Sequence, residues 1–465
     1  MTIFLIALAA LLSGYFVYAK VVERVFGADE NIVTPAISKS DNVDFMALPL
    51  WRVFLIQFLN IAGLGPVFGA ILGALYGPVA LLWIVIGSIF AGGVHDYMSG
   101  MISVREGGKS LVPLVEKYMG SKIKGLFLIF MVFFLLLLGA VFAMSPAQML
   151  ANISNTNFVW WIIAIFGYYF LATLLPIDKI IGRFYPLFAL LLLGVTLVLL
   201  VVLFTSGTEF YPELSWVNLH PQGLPIFPLM FVTIACGAVS GFHATQSPLM
   251  ARCLANEKYG RPIFYGAMIT EGIVALIWAT LGMAFYNGSA ALGEAVTTSG
   301  PGGVVSDVAN GYLGHVGGIL AVLAVVLLSI TSGDTAFRSA RLTIGDYWGK
   351  KNFASRMIIS IVVLSGGIAM SFFDLTTIWV YFGWANQCLA TIALWMATFY
   401  LQKQGKNYLI TILPAGFMSA VCVAYIMSDK IGFRLPLNIS VAVGVCLAFV
   451  SVVWFWLKHK NKTFG

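Results

Sequence analysis

Three carboxylates in this sequence sit inside apolar runs: Asp96, beside His95 in GGVHDYMSGMISVR, Glu271 in GAMITEGIVAL, and Asp334 in LLSITSGDTAFRSARL. A charged side chain in hydrocarbon costs at least ~2.5 kcal/mol, so one kept there marks an ion or substrate pathway by default. The chemistry open to these carboxylates is proton carriage. Each also has a plainer role available. Asp334 has Arg338 at i+4 for an ion pair, Asp96 stands where it can anchor a helix end, and Glu271 has no basic residue within one turn. A second pattern suits a different cation. Leu328, Thr331 and Ser332 fall at i, i+3 and i+4, which puts one carbonyl and two hydroxyls on one helix face. With the carbonyls of Ala62 and Gly65 they would make a neutral oxygen cage for Na⁺, since hard cations select oxygen. The expected coupling ion is therefore H⁺ or Na⁺, with no other cofactor.

Two further segments mix glycine, proline and polar residues into otherwise apolar helices. Asn60–Pro66 carries Gly63 and Gly65; the other runs through Cys236, Gly237, Gly241, His243, Thr245, Gln246, Ser247 and Pro248. Glycine costs about 1 kcal/mol in a helix and proline removes a backbone hydrogen bond. One such helix is explained by close packing or a kink. Two of them, at corresponding places in two halves, point to a transporter binding site, because irregular backbone at membrane depth survives only where it is buried in protein or lines a cavity. The expected substrate-binding set is Asn60, Gly63, Gly65, Gly237, Gly241, His243, Gln246 and Ser247. Ser247–Pro248 and Gly65–Pro66 read as the starts of the resumed helices.

The elements that must hold these groups follow from composition. The chain has 465 residues, 60% hydrophobic and only 10% charged, with mean hydropathy +0.94. An ordinary soluble protein has about 25% charged residues, so this is an all-α polytopic membrane protein; the net charge of +7 belongs to membrane-flanking loops and not to nucleic-acid binding. At about 20 residues per crossing thirteen spans are expected: 2–19, 50–76, 78–104, 122–147, 157–176, 183–206, 226–254, 263–287, 316–345, 355–372, 375–401, 408–428 and 437–458. The first lacks the basic start of a signal peptide and reads as retained. Of the 26 Lys and Arg, all but Lys430 and Arg434 fall on one set of alternate loops. The positive-inside rule then places the N-terminus out and the C-terminus in. In that frame Asp96 and Glu271 lie roughly 12 Å inside the cytoplasmic edge, where they would line one inner vestibule.

Spans 2–6 and 7–11 are five helices each, and each set opens on its interrupted helix. Five is odd, so the second set enters from the opposite side, giving an inverted 5+5 repeat of the LeuT type. The expected divisions are 1–49, a peripheral helix and loop; 50–206 and 207–401, the two repeats; and 402–465, two accessory helices.

At these same residues the chain resembles the carbon starvation protein A family. The supporting segments are NIAGLGPVFGAILGALYGP, AGGVHDYMSGMISVREGGKSL, ACGAVSGFHATQSPLMARCLANE and TSGDTAFRSARL, of which the third is the most specific. The resemblance implies a multi-pass inner-membrane secondary transporter of the amino acid–polyamine–organocation type, induced under carbon starvation stress. Family members are described as peptide transporters and some relatives as proton-coupled pyruvate symporters. Asn60–Pro66 and Cys236–Pro248 match the family's motifs. A carboxylate substrate suits helix N-termini at the breaks, and a peptide and pyruvate both carry one.

The rival classes are a channel and a membrane-embedded enzyme. A channel needs repeated pore loops or charged rings, and an enzyme a clustered His/Asp/Glu or Ser/His set; the sequence offers only His95–Asp96. The five cysteines form no CxxC pair, so neither disulfides nor a zinc site is expected from their spacing. The expected partners are a small-molecule substrate and membrane lipid; the oligomeric state is left open.

Overall fold

The computed structural model describes residues 1–41, 44–174, 181–212, 216–349 and 352–459. Lys179, Lys350, Lys351, Lys460 and Lys462, which entered the charge pattern, lie outside them. Among the described residues every regular element is helical, as hydrocarbon demands of backbone that must satisfy its own hydrogen bonds. The main helices are α1 (Thr2–Phe26), α2 (Leu50–Ala62), α3 (Gly65–Ala74), α4 (Val79–Arg105), α5 (Ser121–Ser154), α6 (Phe158–Leu174) and α7 (Ile181–Thr205). There follow α8 (Ile226–Met230 continuing as Phe231–Thr233), α9 (Gly241–Ala251), α10 (Glu257–Phe285), α11 (Ser289–Trp348), α12 (Phe353–Met370), α13 (Leu375–Lys403), α14 (Leu409–Ser428) and α15 (Leu437–His459). Among the described residues nine helices are long and apolar enough to cross a membrane, and α2 with α3, bent by 56°, makes a tenth. The sequence expectation of thirteen is a larger number than this criterion supports.

Both interrupted helices are real. Gly63 ends α2 at φ +48°, where a Cβ would also stand 2.7 Å from Phe142 Cζ. The chain resumes at Gly65–Pro66, as the sequence reading has it. The second break falls earlier than expected. It covers residues 234–240, and α9 resumes at Gly241, not at Ser247–Pro248. The cause is tertiary: the Phe242 N–H donates to Asn386 Oδ1 on α13 at 2.8 Å, capping α9 there, and Pro248 is absorbed inside the helix.

α11 is the central rod. Gly300 (φ +69°) and Gly314 (φ +68°) break its first half; from there it runs unbroken to Trp348, packed on α5, α7 and α2. α9 packs on α4, α13 and α2.

The two ends of the bundle differ. At one end residues 220–224, 290–307 and 429–430 rim two adjoining cavities of about 940 and 830 Å³, which share Leu72, Thr298, Trp379 and Val380. The deeper one reaches Phe68, one turn beyond Gly65. His220 lines this end, and burial pushes its imidazole below the ordinary range.

At the other end the chain is strapped shut. The Met46 and Leu48 N–H groups donate to the Arg252 and Cys253 carbonyls, both at 3.1 Å. Asp44 receives Arg356 at 3.1 Å and faces Arg341 at 3.8 Å, while Arg252 pairs with Asp346 at 3.1 Å. Arg105 pairs with Glu257 beside them. The loops at each end are grouped as the alternation of charge groups them.

Asp44→Ala removes the acceptor that Arg341 and Arg356 share. Leaving a buried charge unpaired costs about 3–5 kcal/mol, enough to loosen the strap. Cys253, fully buried behind it, is expected to react with maleimide at least about tenfold faster in Asp44→Ala than in wild type. Peptide-level mass spectrometry reads this out; an unchanged rate would mean the backbone pairs alone hold the strap.

Candidate substrate and ion site

The two breaks meet. A Cβ added at Gly65 would fall 2.1 Å from the Cys236 Cβ, and one at Gly237 would fall 2.6 Å from the Ala275 Cβ and 4.0 Å from the Pro66 Cα. Glycine is required at both places by close approach of backbones. Gly241 is as tight on its other side, where an added Cβ would fall 2.2 Å from the Asn386 carbonyl oxygen. The second break is held open by side chains. Trp83 Nε1 donates to the Ile234 carbonyl at 3.1 Å and the Ser88 hydroxyl to the Gly237 carbonyl at 3.0 Å. The N-terminal ends of α3 and α9 and the C-terminal ends of α2 and α8 therefore converge on one junction. The former carry the positive ends of helix dipoles and the latter the negative.

Polar side chains surround this junction with incomplete hydrogen bonding. Gln57 Nε2 donates to the Ser247 hydroxyl at 3.3 Å, and that hydroxyl donates to the His243 carbonyl at 3.0 Å. Gln246 Nε2 donates to Thr245 Oγ1 at 2.8 Å and to the Ser339 hydroxyl at 3.3 Å. Both polar atoms of the Asn60 side chain, Gln57 Oε1 and Gln246 Oε1 are buried without a partner. Buried amide groups left unpaired cost about 1–3 kcal/mol each, a cost that a polar ligand at the junction would relieve.

The three carboxylates separate into two sites. Asp96 and Glu271 share His243. His243 Nδ1 lies 2.9 Å from Asp96 Oδ2, and its Nε2 lies 3.4 Å from Glu271 Oε2 without hydrogen-bond alignment. His95 Nδ1 takes the other Asp96 oxygen at 2.8 Å. All four side chains are buried, and neither Asp96 nor Glu271 lines the cavities described above. Asp334 stands apart on α11. Its Oδ2 accepts from the Tyr185 hydroxyl of α7 at 2.5 Å, and its Oδ1 is buried without a partner.

Of the two α11 hydroxyls, Ser332 reaches α2 just before the first break and Thr331 bonds within its own helix. Ser332 donates to the Leu59 carbonyl at 3.3 Å and reaches that of Asn60 at 3.5 Å, two to three residues before Ala62 and five to six before Gly65. Thr331 donates to the Leu328 carbonyl at 2.9 Å. Sequence reasoning missed Gln57, Ser88, Tyr185, Cys236 as a site residue, and Asn386 with Gln387. Gln57 was the most accessible of these, an amide at i−3 from Asn60 on one helix face; Asn386–Gln387 is an amide pair in an apolar run.

Two interrupted helices meeting inside a helical bundle, with cavities at one end and straps at the other, are the arrangement of the LeuT-type transporter fold. The fold matches MhsT in complex with L-phenylalanine (TM-score 0.58, 13% identity, 88% of this chain and 99% of that one). It also matches a Na⁺-coupled sialic acid symporter in its substrate-bound outward-open state (TM-score 0.54, 13% identity, 95% and 96%). The chain belongs to the carbon starvation protein CstA family, whose profile matches residues 1–160, 144–291 and 287–425. An uncharacterized membrane protein of Haemophilus influenzae is 45% identical over 347 residues, covering 63% of this chain and 94% of that protein. A protein named peptide transporter CstA from Campylobacter jejuni is 26% identical over 542 aligned positions, covering 87% and 76%. One named pyruvate/proton symporter BtsT from Escherichia coli K12 is 27% identical over 322 positions, covering 55% and 45%.

Proposed function

We propose that this transporter takes up a small carboxylate-bearing organic molecule, a short peptide or a pyruvate-like acid, across the bacterial inner membrane in symport with a proton. The observation that carries this is the junction itself. Two half-helix N-termini there favour an anionic group, the adjoining C-termini favour a cation, and unpaired amides of Asn60, Gln57 and Gln246 offer hydrogen bonds. The names of the relatives from Campylobacter jejuni and Escherichia coli supply the substrate classes and the proton. In this reading Asn60, Gly63, Gly65, Gly237, Gly241, Gln246 and Ser247 form the substrate site, and Asp334 with Tyr185 carries the proton. The repeats are 50–206 and 207–401, flanked by 1–49 and 402–465.

Labelled pyruvate and a panel of labelled dipeptides, offered to proteoliposomes, test it. Counterflow is expected with one of these classes, and accumulation is expected to follow an inward proton gradient with Na⁺ absent. Accumulation that follows Na⁺ and is lost in Thr331→Ala would transfer coupling to the oxygen cage of Leu328, Thr331, Ser332, Ala62 and Gly65. Uptake indifferent to both gradients would mean a uniporter or exchanger. Absence of counterflow with every substrate would favour a channel or an enzyme.

The reading places the N-terminus outside and the strapped end in the cytoplasm. Single cysteines in 288–314 are expected to react with an impermeant maleimide in intact cells, and those in 106–120 to stay unlabelled. The opposite pattern inverts the topology.

A further inference from the structure

Cys236, His243 and Glu271 come together from the second break, from α9 and from α10. The Cys236 Sγ, a ring nitrogen of His243 and a carboxylate oxygen of Glu271 all lie within 4.8 Å of one another, with all three side chains buried. We infer that they form a binding site for a borderline transition-metal cation of the Zn²⁺ or Co²⁺ type, at the junction of the two broken helices.

The donor set argues for this class. One thiolate, one imidazole and one carboxylate are the ligands of four-coordinate zinc sites, and three protein ligands leave one position for water or a carboxylate oxygen. The imidazole is already aimed. A carboxylate only accepts, so the 2.9 Å contact with Asp96 Oδ2 makes His243 Nδ1 the donor. Nε2 is then a bare lone pair, and it faces Glu271 Oε2 at 3.4 Å. A carboxylate orienting a histidine from behind is the usual support of a metal-binding imidazole. Here that support is itself fixed from the other side by His95 Nδ1 at 2.8 Å.

A second observation points to a ligand. His243 Nε2 and both oxygens of Glu271 are buried without a hydrogen-bond partner. Within so polar a cluster, atoms left unpaired on both facing groups are what a cation between them would satisfy. Cys236 spends its thiol on the Ser240 hydroxyl at 3.4 Å, a weak bond that metal binding would replace, with release of the thiol proton to solvent. The way in is short, since the cavity that ends at Phe68 stops one turn from Gly65, and Gly65 packs on Cys236. No pair of cysteines is involved, and the three ligands come from separate elements.

The test needs no substrate. Purified full-length protein, stripped with chelator and held in nanodiscs, is titrated with Co²⁺ and read by absorption. One equivalent is expected to bind, with a thiolate charge-transfer band in the near ultraviolet and visible bands of tetrahedral intensity, both displaced by Zn²⁺. Cys236→Ser, a conservative exchange, is expected to lose the charge-transfer band, and Glu271→Gln to lose stoichiometric binding. Asp96→Asn keeps all three ligands and is expected to weaken affinity about ten- to a hundredfold. Thermal melting keeps the result clear of misfolding: Zn²⁺ should raise the Tm of wild type and leave that of folded Cys236→Ser unmoved. No saturable binding, or Co²⁺ spectra and Zn²⁺ shifts unchanged in Cys236→Ser, would overturn the site. Transport is read separately, so neither outcome decides the substrate.

Discussion

Gly65→Leu and Gly241→Leu are each expected to abolish uptake while leaving protein in the membrane. The added Cβ alone would sit 2.1 Å from Cys236 Cβ in the first case and 2.2 Å from the Asn386 carbonyl oxygen in the second. Real side chains do not tolerate such distances, and leucine adds three more carbons to the conflict. Overpacking of this kind costs about 1–3 kcal/mol even after relaxation. Here relaxation means driving apart the two breaks, or α9 from α13, so the cost falls on the geometry of the proposed substrate site. Uptake should drop at least about tenfold, as ~1.4 kcal/mol of lost site stability requires. Gly194→Leu is the control, because nothing lies within 4 Å of a Cβ there. Its uptake is expected to match wild type, with all three variants at equal abundance by quantitative blot. Normal transport by Gly65→Leu and Gly241→Leu would show that these glycines serve helix packing alone.

Asp334→Asn is expected to separate exchange from accumulation. Asparagine keeps the size of the side chain and an acceptor for the Tyr185 hydroxyl, which stands at 2.5 Å in the native site. It cannot carry a proton. A gradient of two pH units is worth about 2.7 kcal/mol per proton and supports up to about a hundredfold accumulation. In the variant that ratio should fall to about one, while counterflow of labelled against unlabelled substrate stays within about twofold of wild type, because exchange moves no net proton. Retained accumulation would remove Asp334 from the coupling path. Loss of counterflow together with accumulation would make its bond to Tyr185 a structural one.

Much of this arrangement was legible because its signals are local. Gly63 and Gly65–Pro66 announce a break wherever the helix sits, and of the i, i+3, i+4 set Leu328, Thr331 and Ser332 it is Ser332 that reaches α2. Contacts that depend on distant partners left no such trace. His243 meets Asp96 across 147 positions and Glu271 from another helix, so the three could be named one by one but not joined. The start of α9 was misplaced for the same reason. Ser247–Pro248 has the local form of a helix start, but the cap that decides the matter is Asn386, on α13. The strap was hidden in a similar way, since Asp44 belongs to a loop whose arginine partners lie on α11 and α12.

The unbroken stretch of α11 from Gly314 to Trp348 carries both the Asp334–Tyr185 contact and Arg341 of the strap. Asp334 and Arg341 are seven residues apart, two turns on one face and about 10 Å along the axis. No glycine φ reversal or other soft joint lies between them. A rigid tilt of this stretch that carried Arg341 away from Asp44 would therefore also shift Asp334 relative to Tyr185.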